Sequence, residues 1–244
     1  MTTTVATERK IFTARLVECR DLSDHTKHFQ WEVEETHKFA FQAGQFVSML
    51  AEHDGREITR AYSLASAPRG DNTFDLCLNR VPEGFFSNFL HDLRPGAEVR
   101  FHGPHGFFVL KNPVRSSVFV ANGTGVAPLR GMIHELFRHP EQYRGHDFWL
   151  VFGVRYANHL YYDEEFRQLE QEHPNFHYRP TLSRPDADWK GAHGYVQEHV
   201  ENIVAGRTDM DAYICGLRDM VTANRDLLKK LGWDRKSILY ERFD

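Results

Sequence analysis

The segment Gly123-Thr124-Gly125 combines residue types that could bind an anion. It follows a continuous apolar run, Val118 to Ala121, and it precedes a stretch with helical periodicity. Backbone amides converge at the start of a helix, and glycine lets a phosphate approach the backbone closely. Pro128 suits the first helical turn because its missing amide proton costs nothing there. The segment is therefore a candidate phosphate site, although a lone G-x-G after a strand is also typical of an ordinary tight turn.

Further polar groups follow predicted strands in the second half of the chain. Ser183-Arg184 combines a hydroxyl with a guanidinium, whose fork of donors suits a phosphate dianion. Tyr195 and Cys215-Gly216 also approach or follow the ends of strands. Ligands of parallel sheets bind at the carboxyl ends of the strands, so these residues are candidates for one nucleotide site. Taken alone, the Ser-Arg pair could equally be a solvated turn.

The first half offers a second set of groups suited to a cofactor. Alternation along a predicted strand, Arg60-Ala61-Tyr62-Ser63, puts Arg60 and Tyr62 on one face. A guanidinium matches a pyrophosphate, and a Tyr ring can cover a planar ring. Gly84-Phe85-Phe86-Ser87 is typical of a helix start with a Ser cap, an end that attracts anions. Each segment alone could also be ordinary structure.

Composition limits the class of protein. The chain has 244 residues, enough for two domains, with 41% apolar and 26% charged residues, as in globular proteins. A net charge of −4 argues against nucleic acid as a partner. No apolar run approaches the roughly 20 residues of a membrane span. The segment Met1 to Lys10 has no apolar core, so we expect no secretory signal and a cytoplasmic location.

Cysteine and histidine usage argues against a metal centre in this chain. Cys19, Cys77 and Cys215 are sparse and far apart, which fits a reducing compartment and cannot hold an iron–sulfur cluster. The pairs His102/His105 and His173/His177 have no obvious third ligand. We therefore predict no metal site.

The apolar pattern changes rhythm near the middle of the chain. From Ile11 to Phe108 it alternates in short runs, which predicts an antiparallel barrel or sandwich, interrupted by a helix over Ser87 to Asp92. After Lys111-Asn112-Pro113, strands alternate with helices, which predicts a doubly wound parallel sheet. We place the two domains at residues 1–112 and 113–244. The elements predicted in the second domain are strands at Val118–Ala121, Phe148–Val151, Phe176–Thr181 and Ala212–Cys215, and helices at Pro128–Phe137, Asp163–Glu172, Tyr195–Val204 and Asp219–Leu231.

Five segments together resemble the ferredoxin–NADP(+) reductase family in order and spacing, and nearly the whole chain takes part. The resemblance implies an FAD-binding antiparallel β-barrel domain followed by an NADP(H)-binding α/β domain. It further implies electron transfer between NADPH and a separate one-electron carrier such as ferredoxin or flavodoxin. The segments are Arg60-Ala61-Tyr62-Ser63, Gly84 to Leu90, Gly123 to Pro128, Tyr213 to Arg218 and Tyr240 to Asp244.

The resemblance also implies which residues contact the cofactors. Arg60 would pair with the flavin pyrophosphate, Tyr62 would stack on the isoalloxazine and Ser63 would contact its N5 region. Ser183, Arg184 and Tyr195 would grip the 2′-phosphate of NADP. The full implied FAD set is Arg60, Ala61, Tyr62, Ser63, Leu78, Asn79, Arg80, Gly84, Phe85, Phe86, Ser87, Thr124 and Phe243. The implied NADP set is Gly123, Thr124, Gly125, Ser183, Arg184, Tyr195, Cys215, Gly216 and Leu217.

Three residues resemble the reaction-centre set of the family, namely Ser63, Cys215 and Glu241. Ser63 would hydrogen-bond near N5, Cys215 would pack beside the nicotinamide, and Glu241 would tune the flavin and act as a general acid. An inert buried thiol is the ordinary interpretation of Cys215 alone. Phe243 is expected to stack on the flavin in place of the terminal aromatic of many relatives.

Two positions depart from the family pattern. Asn79 stands where a basic residue is common, so Arg80 could contact the pyrophosphate of either cofactor. His193 stands where plant-type members have a basic residue. Histidine is mostly neutral at pH 7. We therefore predict a preference for NADPH over NADH that is weaker than in plant-type members and stronger at low pH.

Other functions remain open at this point. The chain could be the reductase component of an oxygenase or a free-flavin reductase, and a redox-sensing flavin- or nucleotide-binding module is the non-enzyme alternative. We expect a monomer. A basic patch that binds an acidic carrier is expected on the barrel. The candidate residues are Arg56, Arg60, Arg69, Arg80 and Arg94.

Overall fold

Two six-stranded sheets follow one another along the chain in the computed structural model, which describes residues 10–243. Residues 1–9, which make up most of the predicted segment Met1 to Lys10, lie outside the described residues, and so does Asp244. No helix within residues 10–243 is long and apolar enough to cross a membrane. The elements of the first half are β1 (Ile11–Ser23), β2 (Thr26–Val33), β3 (Phe46–His53), β4 (Arg56–Ser63), β5 (Thr73–Asn79), α1 (Phe85–Asp92) and β6 (Glu98–His105).

The first sheet is an antiparallel barrel with the strand order β4-β3-β6-β1-β2-β5. An antiparallel bridge between Leu64 and Leu76 joins the segment after β4 to β5, and Ala65 N donates to Asp75 O at 2.8 Å. These bonds bring the two edges of the sheet together. Large side chains fill the interior, among them the fully buried Trp31. The antiparallel barrel predicted from the alternating pattern is confirmed.

The second sheet is parallel, with the order β10-β9-β8-β7-β11-β12. Its elements are β7 (Ser117–Asn122), α2 (Val126–Phe137), β8 (Phe148–Val154), α3 (Asp163–Glu172), β9 (Phe176–Leu182), β10 (Ala192–His193), α4 (Val196–Val204), β11 (Asp211–Leu217), α5 (Arg218–Lys230) and β12 (Ile238–Phe243). The strand order reverses between β7 and β11, so their carboxyl ends form the crevice in which such sheets bind ligands. The predicted doubly wound parallel sheet is confirmed. The proposed division between residues 112 and 113 falls in the connection 106–116 between the two sheets and stays a prediction.

A buried ion-pair network joins the two domains behind this crevice. Arg130 on α2 donates to both carboxylate oxygens of Glu165 on α3, at 2.6 and 2.9 Å. Its other terminal nitrogen donates to Ala65 O at 2.7 Å and lies 3.4 Å from the buried carboxylate of Asp75. Arg69 donates to the same Asp75 oxygen at 2.5 Å. The network fixes the segment that follows β4, and with it the position of Ser63.

His28 lies buried at the same junction, and its neutrality makes stability depend on pH. Its Nδ1 is 3.0 Å from the Tyr162 hydroxyl, and its Nε2 is 3.8 Å from Asp75. Burial lowers the pKa of His28 to about 4. Below pH 6.5 the unfolded chain therefore binds a proton that the folded chain does not, so the free energy of unfolding falls with falling pH down to about 4.

We predict that His28→Gln flattens this dependence, because glutamine can still bond Tyr162 and does not titrate. The shift corresponds to about 3 kcal/mol across the window. Denaturant unfolding at several pH values between 4 and 7 measures it. His139→Gln, which removes an exposed histidine, is the control. Equal pH slopes for wild type and His28→Gln would show that His28 is not the group responsible.

Candidate active site

Ser63, Cys215 and Glu241 converge from three strands of the two domains. Ser63 ends β4 of the barrel, and its hydroxyl donates to Glu241 Oε1 at 2.9 Å. Glu241 lies on β12, where it pairs in register with Cys215 on β11. Because these positions are distant in sequence, only the packing of the barrel against the parallel sheet brings them together.

Burial favours the uncharged forms of both titratable side chains of this group, the Glu241 carboxyl and the Cys215 thiol. Burial raises the pKa of the Glu241 carboxyl, and the hydrogen bond from Ser63 offsets part of that rise. Burial also raises the pKa of the Cys215 thiol well above its usual range, and the nearby Glu241 carboxylate adds to the effect. Cys215 therefore remains a neutral thiol at pH 7 and cannot act as a thiolate nucleophile. Because its pKa is raised, the Glu241 carboxyl holds a proton more readily than an exposed carboxyl and is suited to act as a general acid.

The glycines at the crevice serve two different purposes. Gly123 has φ +53°, and a Cβ there would meet nothing within 4 Å, so a ligand can approach its backbone. A Cβ on Gly125 would lie 2.2 Å from Cys215 O, and one on Gly216 would lie 1.9 Å from Asn122 Oδ1. Gly125 and Gly216 are thus required for close packing between the ends of β7 and β11. Thr124, between the first two glycines, is half-buried.

Asn122 is a residue of this crevice that the sequence analysis missed. It is the last residue of β7, and its Oδ1 accepts a hydrogen bond from Leu217 N at 2.9 Å. Its side chain therefore fixes the turn that leaves β11. Its position at the carboxyl end of a predicted strand, next to Gly123, is the signal that could have identified it.

The predicted phosphate-binding residues gather at the carboxyl edge of β8, β9 and β10. Ser183 and Arg184 follow β9 with exposed side chains, and His193 pairs in register with Leu182 at the end of β9. Tyr195 precedes α4 and is 65% exposed. Arg155, which the sequence analysis missed, follows β8, and its carbonyl accepts from Arg184 N at 3.0 Å. Two exposed guanidinium side chains thus project from adjoining segments.

On the barrel side, β4 presents an open edge. Arg60 and Ala61 are exposed, and the Arg60 guanidinium donates to Thr59 O at 2.8 Å. Tyr62 is half-buried, with its ring centroid 6.0 Å from that of Phe86. Burial raises the pKa of Tyr62 to about 12, so the phenol stays neutral. A neutral ring on an accessible edge can cover a planar cofactor.

The start of α1 differs in one respect from the prediction. Gly84, not Ser87, is the N-cap residue, and no side chain caps the helix. The Ser87 hydroxyl instead accepts from Val81 N at 3.0 Å and donates to Gly84 O at 3.2 Å. The predicted Ser cap is therefore wrong, because Ser87 lies inside the first turn and closes the preceding loop. The ring of Phe85 stacks on His53 with 4.0 Å between centroids.

The residues that end β5 are engaged with protein groups. Leu78 is buried in the barrel core, and its carbonyl lies 3.1 Å from His91 Nε2, so its side chain is not available to a ligand. The Asn79 Oδ1 accepts from the Thr26 hydroxyl at 2.6 Å. Arg80 forms an ion pair with Asp92 at the opposite end of α1. A pyrophosphate would have to compete with Asp92 for Arg80.

Leu217 and Phe243 face each other in register at the end of the sheet. Leu217 is 60% exposed, whereas Phe243 is partly buried and packs against the core cluster that contains Cys215. Phe243 therefore lies at the rim of the site beside the predicted reaction centre.

These features fit a dinucleotide at each side of the group formed by Ser63, Cys215 and Glu241. The uncapped start of α1 offers backbone amides to a pyrophosphate, and exposed β4 lies beside it. The open backbone at Gly123 and the exposed arginines after β8 and β9 offer a second anion site. The fold and the site thus define a two-domain oxidoreductase that binds a flavin and a nicotinamide nucleotide.

Comparisons with known proteins agree with this class. The family model described as "Oxidoreductase FAD-binding domain" matches residues 13–110, and the "Oxidoreductase NAD-binding domain" matches residues 119–226. Ferredoxin–NADP reductase B of Sorangium cellulosum is 40% identical over 242 residues, covering 96% of this chain and 98% of that protein. The chain belongs to the ferredoxin–NADP(+) reductase family, and it is an oxidoreductase that uses FAD and NADP(H).

Some similar proteins are longer than this chain. The CDP-6-deoxy-L-threo-D-glycero-4-hexulose-3-dehydrase reductase of Yersinia pestis is 33% identical over 192 residues, and the match covers 78% of this chain and 56% of that protein. The crystal structure of the Amycolatopsis cytochrome P450 reductase GcoB matches with a TM-score of 0.86 at 29% identity, covering 96% of this chain and 70% of that one. The shared fold therefore occurs in proteins that carry additional segments.

Proposed function

We propose that the protein takes a hydride from NADPH at the group formed by Ser63, Cys215 and Glu241 and passes the electrons singly to a separate ferredoxin or flavodoxin. The observation that carries the proposal is the convergence of these three side chains at the junction of the two domains. A protein that only binds nucleotides has no need of such a group. When bound, FAD supplies the conversion between a two-electron donor and a one-electron acceptor.

The residues of this chain position the reactants and handle a proton. The uncapped start of α1 and Arg60 hold the flavin pyrophosphate, and Tyr62 covers the ring. The Ser63 hydroxyl donates to Glu241 Oε1, and with FAD bound a proton held by Glu241 would pass through this same hydrogen bond to Ser63 and on to the reacting edge of the flavin. The small, neutral Cys215 leaves room for the nicotinamide.

Selectivity for NADPH is assigned to the exposed groups after β8, β9 and β10. Arg184 and Arg155 supply permanent positive charge for the 2′-phosphate, with Ser183 and Tyr195 as hydroxyl donors. His193 lies beside the end of β9 and is proposed to add an imidazole hydrogen-bond donor to this set.

The acceptor is proposed to be an acidic carrier protein that docks on the barrel domain. This protein is proposed to act as a monomer. Three arginines of the expected basic patch, Arg56, Arg60 and Arg94, have exposed side chains. Arg69 belongs instead to the Asp75 network, and Arg80 pairs with Asp92. Because Arg60 is assigned to the flavin pyrophosphate, the docking surface is assigned to Arg56 and Arg94. A reductase component for an oxygenase is the second candidate, favoured by the similarity to the cytochrome P450 reductase GcoB.

Steady-state electron transfer tests the proposed acceptor. The purified holoenzyme, supplied with NADPH, is assayed with a ferredoxin, a flavodoxin and free FMN, and cytochrome c reports reduction of either carrier. We expect carrier-dependent turnover that weakens with added salt, because charge complementarity drives the encounter. Turnover with free FMN that exceeds turnover with both carriers would replace the proposal by a free-flavin reductase.

Phe243 is proposed to cover the flavin until NADPH displaces it. Because stacking of two rings contributes about 0.5–1.5 kcal/mol, Phe243→Ala is expected to lower the Kd for NADP(H) by up to about tenfold. Titration of the oxidised holoenzyme with NADP(+), followed by the flavin spectrum, measures this change. Tyr240→Ala on the same strand is the control, since its ring packs against Arg225 instead. An unchanged Kd and flavin spectrum for Phe243→Ala would exclude the stack.

A further inference from the structure

Two histidines and a carboxylate meet where the barrel touches the parallel sheet, among residues that neither the flavin nor the nucleotide assignment uses. Asp24 and His25 form the turn between β1 and β2, and His159 ends a short helical turn after β8. The potential ligand atoms of the three side chains all lie within 4.8 Å of one another. Groups from two domains thus face one point.

The distances between the three groups can be compared with the spacing of ligand atoms in a tetrahedral metal site. Asp24 Oδ1 lies 2.6 Å from His25 Nδ1 and 3.4 Å from His159 Nε2. The two imidazole rings are nearly perpendicular, with centroids 4.8 Å apart. Zinc bonds of about 2.0–2.1 Å in a tetrahedron place ligand atoms about 3.4 Å apart. The Asp24 side chain is 73% exposed, so it can make the small movement required.

Buried hydrogen bonds hold the two segments together independently of any metal. The hydroxyl oxygen of Thr26, the residue after His25, accepts from the Tyr161 hydroxyl at 2.8 Å. Thr26 is fully buried, and Tyr161 lies two residues beyond His159. The backbone that carries the ligands is thus fixed before a metal binds, which reduces the entropic cost of assembling the site.

We propose that Asp24, His25 and His159 bind one divalent transition-metal ion, with zinc as the expected metal, and that the ion joins the two domains at this turn. Two imidazoles and one carboxylate suit zinc better than calcium or magnesium, which prefer six or more oxygen ligands. The histidines bind as neutral imidazoles, and water fills the fourth position. Binding at His25 Nδ1 and His159 Nε2 requires each neutral imidazole to carry its proton on its other ring nitrogen, while Asp24 binds as a carboxylate.

The test uses the holoenzyme after treatment with a chelator and titrates it with zinc chloride in a calorimeter. Asp24→Asn and His159→Ala each remove one ligand, and His139→Ala removes an exposed histidine that faces a single carboxylate, Glu141. Flavin retention and the circular dichroism spectrum report whether each variant is folded. Because Asp24 is exposed, Asp24→Asn keeps the test valid even if His159→Ala does not fold.

We expect one zinc ion per chain for wild type and for His139→Ala. Loss of a residue outside the ligand set can cost 10–100-fold in affinity, so loss of a ligand is expected to cost at least about 100-fold. Zinc should also raise the thermal unfolding midpoint of wild type and control, and should not raise that of the ligand variants. Absence of zinc binding to wild type, or binding that survives either substitution in a folded variant, would overturn the proposal.

Discussion

Replacement of Ser63 by alanine is expected to slow flavin reduction by NADPH about 100-fold, the loss typical of removing one positioned donor from a reaction centre. The hydroxyl donates to Glu241 at 2.9 Å, at the point where β4 meets β12. Its loss also removes the bond that lowers the pKa of the Glu241 carboxyl. The pH profile of the remaining activity should therefore move to higher pH. Rapid-mixing absorbance across a pH series measures both effects.

Two further variants separate this role from a structural one. Ser63→Thr keeps a hydroxyl and should recover part of the rate. Ser66→Ala removes another buried hydroxyl of the same segment, one that accepts from Asp75 N at 3.0 Å, and should alter stability with little effect on the rate. A Ser63→Ala enzyme that reduces its flavin as fast as wild type, with an unshifted pH profile, would rule out the proposed role of Ser63.

Replacement of Arg184 by alanine is expected to reduce kcat/KM for NADPH by about 10- to 100-fold and to leave kcat/KM for NADH almost unchanged. A hydrogen bond to a charged group contributes about 1.5–3 kcal/mol to binding. NADH has no 2′-phosphate, so it makes no such bond with Arg184 and loses none in the variant. Arg155→Ala should act in the same direction, because the two segments adjoin at the carboxyl ends of β8 and β9. Steady-state kinetics with both nucleotides measures the ratio.

Arg179→Ala is the matched control for this pair. Arg179 lies within β9, and its guanidinium binds Glu170 at 2.8 Å instead of facing the carboxyl edge of the sheet. Its removal should leave the ratio of NADPH to NADH efficiency unchanged. Equal losses with both nucleotides in Arg184→Ala would mean that Arg184 supports the fold of this edge and does not select the phosphate.

Much of the fold follows from periodicity, and the exceptions have identifiable causes. The helix predicted at Asp163–Glu172 is observed with those bounds, because its acidic first turn and its apolar spacing agree. β12 was missed, since Tyr240-Glu241-Arg242 is too polar for an apolar strand pattern. The sequence provided no signal for the Arg130–Glu165–Asp75 network, whose members lie on three elements of two domains.

The sequence predicts the site residues at strand ends but not the contacts between the two domains. Motifs identified the groups at strand ends, and the strand-end rule could also have identified Asn122 and Arg155. Contacts across the domain junction, such as Ser63 with Glu241, depend on how two separate cores pack. We predict no metal site from the sequence because the histidine pairs that lie close together along the chain have no obvious third ligand. Asp24, His25 and His159 could not be grouped in that way, because His159 is far from the others in sequence.

Rapid mixing of the oxidised holoenzyme with NADPH and, separately, with NADH tests the central claim most directly. We expect fast bleaching of the flavin absorbance with a charge-transfer band for NADPH, and much slower bleaching at the same concentration of NADH. A purified protein that retains no flavin, or a bound flavin that neither nucleotide reduces, would contradict an NADPH-linked reductase and would favour a non-catalytic flavin- or nucleotide-binding module.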